Sequence, residues 1–344
     1  MADLGREALA PSVERLGAAV SERFIVPART SRRPRIWVAG HAVLATPFVV
    51  VGTERRYSAC LDGVDVRVLC VGREERFRPF LTRVLAGHAQ LEGTSRGRLV
   101  WSPSRFWPVD ASLVAVELHR WLAARFRAAG WLVCPEFVRW QGSLSSMPPS
   151  KPSESLRTDL RRLARGGYGL DAAAGSVRDW AQFERDMVIP YAKRRFGDEA
   201  WIPSSGYLRA VRARGKLLFV TKDGERVAGA CVLRGRKEAW VVAVGVRDGD
   251  IDLMRGGAIA AVYGLTIGWA RGLGVRRMDF GRTSAFQLDG IARFKRKWGM
   301  SPIRDPLSPL IAIQLGPAQP ALRRAMERQP FMVETDGALR AYPR

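Results

Sequence analysis

The most chemically suggestive part of this sequence is a basic run in its last third. Four cationic side chains stand within five positions: Arg293, Lys295, Arg296 and Lys297. Across residues 271–304 there are nine basic residues against Asp279 and Asp289, a local net charge of +7. Because these side chains cannot all point into a core, Lys295 and its neighbours could hold a phosphate or a developing oxyanion. We predict an anion site here, and a solvated basic helix face is the alternative.

Two carboxylates are candidates for a catalytic base. A nucleophile that carries a proton is activated when a carboxylate or a water relay accepts that proton. Asp279 lies inside a short predicted strand, where a buried carboxylate is costly unless it is paired or functional. We predict Asp279 as the first candidate and Glu238, at the edge of another predicted strand, as the second. A salt bridge from Asp279 to Arg277 or Arg282 is the structural alternative.

A third candidate group is Arg255, Gly256 and Gly257, near the start of a long predicted helix. Backbone N–H groups at a helix N-terminus bind phosphate readily. We predict that these three residues cradle the phosphate of a donor molecule. The structural alternative is that the two glycines let the helix approach the sheet.

The cysteines and histidines give no metal-site or hydrolase motif. The sequence has no CxxC pair, and each cysteine lies in an apolar run, which predicts buried thiols: Cys60, Cys70, Cys134 and Cys231. The histidines lie in the first third of the chain, apart from the groups above: His41, His88 and His119. We therefore predict no metal site and no tightly bound cofactor.

The net charge of +23 is the strongest feature of the composition. Such a positive field attracts polyanions, including nucleic acids, nucleotides and anionic surfaces. An arginine-rich composition typical of high-GC organisms explains the same charge without any ligand. Composition alone does not decide between these two explanations.

Hydropathy predicts a cytoplasmic protein. The sequence contains no run of 18 apolar residues that could cross a bilayer as a helix. The first residues carry Asp3, Glu7 and Glu14 within a helical pattern and lack the short apolar region of a signal peptide.

The elements that must position these groups follow a regular order in the second half of the chain. The pattern predicts, in order, helix Val177–Phe196, a helix around residues 206–214, strands Lys216–Lys222, Arg226–Leu233 and Ala239–Val246, helix Leu253–Arg271, strand Arg277–Phe280, a helix around residues 290–298 and strand Leu310–Leu315. Helices, an antiparallel meander, and then a helix and a strand form an α+β pattern with one crossover.

The first half reads as a mixed lobe. The pattern predicts helix Leu4–Phe24, strands Ile36–Val38, Phe48–Val51, Arg55–Leu61 and Val64–Val71, helices Phe77–His88 and Ala111–Ala129, strand Trp131–Val138 and a helix Leu156–Ala164 capped by Ser153 or Ser155. We therefore predict a helical appendage (1–35), an N-terminal α/β lobe (36–150), a catalytic domain (151–320) and a C-terminal tail (321–344).

Three sequence pieces resemble a known family. They are Ser155–Arg162, similar to an S-L-R-x-D-L-R-x-x helix; the hairpin Lys222–Gly229; and Phe294–Gly299 after Asp289-Gly290, similar to an F-K-x-x-F-G signature with Trp298 as the second aromatic residue. On these pieces, residues of about 150–305 resemble the acetyltransferase-type domain of the FemAB-like branch of the GNAT superfamily.

The resemblance implies a GNAT-like α+β fold, with a mixed, mostly antiparallel sheet flanked by helices and with two such lobes. In the family the motif lysine stabilises the reacting acyl group, a role that falls on Lys295. We also predict Arg293, directly before this motif, and Phe294 and Lys297, within it, as contacts of the donor. The Arg255–Gly257 stretch departs from the R/Q-x-x-G-x-G/A spacing of GNAT proteins, which leaves both acyl-CoA and aminoacyl-tRNA open as co-substrate.

The predicted function is that of an N-acyltransferase, which moves an acyl or aminoacyl group to an amine of a small molecule, peptide or saccharide. tRNA is the predicted macromolecular partner if the donor is an aminoacyl ester. The alternative is a non-catalytic protein that binds nucleic acid or another polyanion on a GNAT-like scaffold.

Overall fold

The computed structural model describes residues 51–99, 103, 110–172, 175–197, 208, 211–316, 319–335 and 337–343. The predicted helix Leu4–Phe24 and strand Ile36–Val38 lie outside these residues. So do most of the predicted strand Phe48–Val51 and part of the helix predicted around residues 206–214.

The strands of the described residues are, in chain order, β1 (Val51–Leu61), β2 (Val64–Val71), β3 (Gln90–Leu99), β4 (Leu113–Leu118), β5 (Leu132–Pro135), β6 (Phe137–Ser143), β7 (Tyr168–Asp171), β8 (Gly215–Lys222), β9 (Glu225–Arg234), β10 (Glu238–Val246), β11 (Arg277–Ser284), β12 (Ser301–Arg304), β13 (Leu310–Leu315), β14 (Phe331–Glu334) and β15 (Leu339–Tyr342).

The helices are α1 (Glu74–Val84), α2 (Ala123–Ala128), α3 (Glu154–Arg165), α4 (Val177–Gln182), α5 (Ile189–Phe196), α6 (Ile251–Gly256), α7 (Ala258–Gly272), α8 (Gly290–Lys297) and α9 (Pro320–Arg328). A π-helical turn, Phe183–Val188, joins α4 to α5.

The chain forms two units that are interleaved in sequence. What we name the first unit comprises the described residues of Val38–Trp140, Arg282–Phe294 and Pro302–Arg344. What we name the second unit comprises the described residues of Gln141–Gly281 and Lys295–Ser301.

The first unit is built on a sheet of order β3-β1-β2-β4-β13-β5. Strands β2 and β4 are parallel, whereas β1 pairs antiparallel with β2 and β3, and β13 pairs antiparallel with β4 and β5. Asp62 and Gly63, the two residues left between the predicted strands Arg55–Leu61 and Val64–Val71, form the tight turn between β1 and β2 with positive φ angles (51° and 78°).

The predicted helix Ala111–Ala129 is wrong over most of its length. Residues 113–118 form strand β4, all of whose residues are buried, and only Ala123–Ala128 are helical. Apolar clusters cover this sheet on both faces, with Ala115 in one cluster and Val116 in the other. A strand buried on both faces lacks polar alternation, so its sequence cannot be told from a buried helix by periodicity.

The second unit contains an antiparallel meander, β8-β9-β10, with β7 pairing to β8 at one edge. Helices α6 and α7 then lead to β11, which pairs in parallel with β10. Within the second unit the strands follow the order β11-β10-β9-β8-β7. A meander, a helix and a parallel strand are the GNAT-like α+β arrangement that the sequence predicts.

The first unit shows a related arrangement. There the hairpin β1-β2 precedes helix α1, and β4 later pairs in parallel with β2. Each unit thus places one parallel strand pair beside an antiparallel hairpin. That both are GNAT-like lobes stays a prediction.

Local sequence explains the helices around the candidate site. Ser153 Oγ accepts the N–H of Leu156 and caps α3, one of the two predicted caps. The predicted helix Leu253–Arg271 is instead two helices, because Gly257 adopts a left-handed conformation (φ 105°) between α6 and α7. That conformation carries little strain only for glycine.

Candidate active site

The candidate site lies where the parallel strands of the second unit stop pairing. Their register runs from Glu238↔Arg277 to Trp240↔Asp279. Just beyond it, β10 has a bulge between Val241 and Ala243, and β11 turns at Gly281 with φ 77°. Asp279 therefore stands at the last paired position, next to two backbone irregularities of the kind that re-aim side chains at sites.

Asp279 and Lys295, both predicted as catalytic, contact the backbone of the same residue, Gly281. Lys295 Nζ donates to the Gly281 carbonyl oxygen at 3.1 Å, and the Gly281 N–H donates to Asp279 Oδ1 at 2.7 Å. The two side chains are 1% and 3% exposed, respectively. Buried charges of this kind require hydrogen-bond partners, and each of these two side chains makes a hydrogen bond with the backbone of Gly281. An ammonium and a carboxylate in such an arrangement can stabilise an oxyanion and accept a proton.

Helix α8 carries Lys295, and its start is capped within the first unit. Asp289 Oδ1 accepts the N–H groups of Ile291 and Ala292, while Oδ2 accepts Arg83 Nη2 at 2.9 Å. Burial alone would raise the pKa of Asp289, but the hydrogen bonds, first that of Arg83, bring it below its usual value. A carboxylate is therefore kept ionised at the N-terminus of α8, where the helix dipole favours it.

The end of α8 leads into an aromatic cluster in the second unit. The Tyr263 ring stacks on Phe280 with 4.3 Å between centroids, and Trp298 lies 5.8 Å from Tyr263. Burial raises the pKa of the Tyr263 phenol. The three rings pack together as an apolar cluster, and one of them, Phe280, directly follows Asp279 in β11.

Lys297 contacts the first of the three family-like sequence pieces. Its Nζ lies 2.5 Å from Oδ2 of Asp159 in α3, and both side chains are largely buried. The Ser155–Arg162 helix and the Phe294–Gly299 motif, recognised separately in the sequence, therefore touch. The predicted role of Lys297 in donor binding stays a prediction.

Glu238 lies at the start of β10 and forms an ion pair with Arg277 across the parallel register. It stands two residues before Trp240, the partner of Asp279. Two residues along a strand span about 6.6 Å, so Glu238 lies on the same strand pair but away from Gly281. Its role as a base stays a prediction.

Arg255 has different surroundings from Lys295. Its side chain is 78% exposed and lies 3.7 Å from Asp252. It lines a surface pocket of about 440 Å³ together with Arg194 and three aspartates, Asp248, Asp250 and Asp252. Acidic groups outnumber basic ones there, so the lining does not favour an anion unless the ligand brings compensating contacts.

Gly256 and Gly257 lie at the junction of α6 and α7. Tyr168 Oη donates to the Gly256 carbonyl oxygen at 3.2 Å. A Cβ atom added at Gly257 would lie 3.2 Å from Cβ of Arg162, so the glycine allows α3 to approach. This close approach involves a helix and not the sheet. Phosphate binding by these glycines stays a prediction.

Arg293 and Phe294 belong to the part of α8 that lies in the first unit. Arg293 is exposed and Phe294 is half-buried. Their predicted contacts with a donor stay predictions.

Sequence reasoning missed Asp159 and Gly281. Asp159 falls between Leu156 and Leu163 at helical spacing, so it is a carboxylate on the apolar stripe of α3, a signal that was readable. Gly281 directly follows Asp279-Phe280, and a glycine inside a strand pattern indicates a bulge or bend.

A second polar cluster lies beyond the parallel pair of the first unit. The register of β2 and β4 ends at Val71↔Val116, and Gly72 and Glu117 follow. Glu117 accepts the N–H of Arg73 at 3.0 Å and forms an ion pair with the Arg73 guanidinium. Arg55 Nη1 donates to the Gly72 carbonyl oxygen at 2.8 Å.

Three of the cysteines are buried, as predicted, and burial raises the pKa of their thiols: Cys70, Cys134 and Cys231. Cys60 is exposed, so the prediction that all four are buried is wrong.

Among the residues that the structure describes, no group of three or more His, Cys, Asp or Glu side chains could hold a metal ion. In that same part of the chain, every helix is too short or too polar to span a membrane.

Among known proteins, the matches to this chain are solved structures. No family model and no curated protein sequence matches this chain. The C-terminal domain of a putative lysylphosphatidylglycerol synthetase from Agrobacterium fabrum is 15% identical, with 91% of this chain and 96% of that chain covered and a TM-score of 0.41. FemX is 9% identical, with 87% and 95% covered and a TM-score of 0.39. A GCN5-related N-acetyltransferase from Sphaerobacter thermophilus is 17% identical, with 72% of each chain covered and a TM-score of 0.34.

Proposed function

We propose that this protein is an N-acyltransferase that moves an acyl or aminoacyl group from acyl-CoA or an aminoacyl-tRNA to an amine. The observation that carries the proposal is that Asp279 accepts the N–H of Gly281 while Lys295 donates to its carbonyl oxygen, at the end of the parallel strand pair. The family resemblance of Phe294–Gly299 and the structural neighbours agree with this class of reaction.

In the proposed reaction, the neutral amine attacks the acyl carbon and a C–N bond forms. The electron pair of the carbonyl group moves to its oxygen, where the ammonium of Lys295 stabilises the negative charge. Asp279 accepts the proton of the attacking amine. When the intermediate collapses, the C–S bond of a thioester or the C–O bond of a tRNA ester breaks, and the proton passes to the leaving thiolate or alkoxide.

The test is substitution of Lys295. Lys295→Ala should lower kcat about 100- to 1000-fold, the usual effect of removing one donor to an oxyanion. Product formation is followed by mass spectrometry with acetyl-CoA or charged tRNA and a panel of amines. Lys216→Ala is the matched control, because Lys216 is an exposed lysine of β8 in the same unit. Unchanged turnover in Lys295→Ala would remove Lys295 from the mechanism.

The two donors are separated by nuclease treatment. A reaction that uses aminoacyl-tRNA stops after RNase digestion, whereas a reaction that uses acyl-CoA continues. Thermal unfolding with CoA gives a second readout, because a bound ligand raises the midpoint by mass action.

The second candidate function is non-catalytic binding of a polyanion, which the net charge of +23 favours. Affinity for RNA would then fall steeply with salt. It would also be insensitive to Asp279→Asn, and no covalent product would form with either donor.

A further inference from the structure

The end of α8 is held by an ion pair that the proposed reaction does not use. Lys297 Nζ lies 2.5 Å from Asp159 Oδ2, and the two side chains are 19% and 12% exposed. Both residues belong to the second unit.

A largely buried ion pair is a poor source of stability, because the desolvation of both charges offsets their attraction. The best-attested use of such pairs is to fix the register between two elements. Here the two elements are α3 and α8, the helices of the two family-like sequence pieces.

Packing around the ion pair supports a fixed register. A Cβ atom added at Gly264 of α7 would lie 2.5 Å from Cδ2 of Leu163 and 3.5 Å from the Trp298 ring. Leu163 stands one turn after Asp159 in α3, and Trp298 directly follows Lys297. The glycine thus lets α3 and the end of α8 pack closely on the same point of α7.

The position of Lys297 on α8 relates this ion pair to Lys295. Residues two apart on an α-helix point about 200° apart around its axis, so Lys295 and Lys297 project from nearly opposite sides. One ammonium reaches the Gly281 carbonyl oxygen and the other reaches Asp159. The end of α8 is therefore held between the strand β11 and the helix α3.

We propose that Asp159 is a positioning residue whose ion pair with Lys297 fixes the end of α8 and thereby holds Lys295 Nζ at the Gly281 carbonyl oxygen. The consequence for catalysis rests on the proposed function. The placement of Lys295 does not, and it can be measured without turnover.

The first measurement is the reactivity of Lys295 toward acetic anhydride, followed by peptide mass spectrometry in the folded full-length chain. At 3% exposure, Lys295 should react far more slowly than the exposed Lys216. In Asp159→Asn, the labelling rate of Lys295 should rise toward that of Lys216. Lys297→Met should have the same effect, and the double variant should be no worse than either single variant.

The second measurement is the split between kcat and KM, with the donor that supports turnover. Asp159→Asn should lower kcat roughly 10- to 100-fold, as the loss of a supporting partner does at other sites, with KM unchanged. Asp159→Glu keeps the carboxylate and should restore most of the rate. Glu154→Gln is the control, because Glu154 pairs with Arg157 and Arg161 on the exposed face of the same helix.

Wild-type labelling of Lys295 together with wild-type kcat in Asp159→Asn overturns the proposal. A lower unfolding midpoint with unchanged Lys295 labelling also overturns it, because Asp159 would then act on stability alone. If Asp159→Asn does not fold, Lys297→Met and Asp159→Glu decide the same question. If wild-type protein turns over neither donor, the proposed function fails while the labelling result still decides the placement.

Discussion

The two parallel strand pairs carry similar polar groups that are connected differently. Each pair ends beside a glycine of positive φ, Gly72 (147°) in the first unit and Gly281 (77°) in the second. Each glycine carbonyl accepts a cationic side chain, Arg55 or Lys295, and each end holds a buried carboxylate, Glu117 or Asp279.

The difference lies in the cations beside the carboxylate. In the first unit, Glu117 is engaged by the Arg73 guanidinium and lies 3.7 Å from Arg76, which also binds Glu136. An arginine side chain stays protonated, so it cannot serve as a general acid or base, and planar guanidiniums held in this way form a fixed network. In the second unit a lysine stands near the carboxylate, with a single amine on a flexible stem. We therefore expect the first cluster to contribute stability, and we propose the second as the place of the chemistry.

Glu117→Ala tests the structural role of the first cluster, and together with Gly72→Ala it has the largest expected effect on stability. The substitution removes the acceptor of Arg73, and we expect the free energy of unfolding to fall by about 2–3 kcal/mol. The loss stays below that of a fully buried pair because Arg73 is half exposed and keeps part of its hydration. Urea unfolding measures it.

The control for Glu117→Ala is Glu75→Ala, because Glu75 lies 3.9 Å from the same arginine on the surface. That change should stay within about 0.5 kcal/mol. A specific loss of kcat in folded Glu117→Ala, with stability unchanged, would place chemistry in the first unit and contradict the comparison.

Substitution of Gly72 or Gly281 by alanine should give a smaller difference in stability between the two units. At Gly72 a Cβ atom would lie 2.5 Å from Cβ of Glu117, whereas at Gly281 the nearest atom is 3.5 Å away, the Val241 carbonyl oxygen. Both changes strain a positive φ, but only Gly72→Ala also overpacks a core strand. We expect Gly72→Ala to lower the unfolding free energy by about 2–3 kcal/mol and Gly281→Ala by about 1 kcal/mol. Equal losses in urea unfolding would show that the strands adjust freely at Gly72.

Asp289→Asn should have the smallest effect, and one that depends on pH. Asparagine still caps α8, so the change removes chiefly the pair with the half-exposed Arg83, about 1 kcal/mol at neutral pH. Because the folded-state pKa lies below the usual 3.8, the stabilisation is present above 3.8 and is lost as pH falls through the lowered folded-state value. Urea unfolding of both proteins from about pH 7 to about pH 3 should show their difference shrinking in acid. A difference that is constant with pH would contradict this account.

The sequence predicts the local parts of the fold well. The Asp62-Gly63 hairpin, the Ser153 cap and the bounds of β13 follow from turn chemistry, capping and apolar runs over a few residues. Strand β4 was missed because burial on both faces erases its period. The pairing of β13 with β4 and β5 lies far outside any local pattern, since about 175 residues separate it from β5.

In the candidate site, too, local features could be predicted from the sequence and long-range contacts could not. The sequence predicts Lys295 from a basic run within the family-like motif and Asp279 as a carboxylate in a strand, and the structure places both beside Gly281. The ion pair of Asp159 and Lys297 depends on how two helices pack on α7, which no spacing within either helix reveals. Whether these residues perform the predicted roles is for the kinetic experiments above.

The interleaving of the two units in sequence affects how the protein folds during synthesis and whether fragments of it can fold. Strand β13 completes the sheet of the first unit between β4 and β5, yet it is synthesised after the whole of the second unit. During translation, the facing edges of β4 and β5 have no pairing partner until β13 is made. Unpaired strand edges of this kind are prone to aggregation. A fragment cut near residue 150 would keep that gap permanently. Expression of either half by itself is therefore a poor route to a working piece.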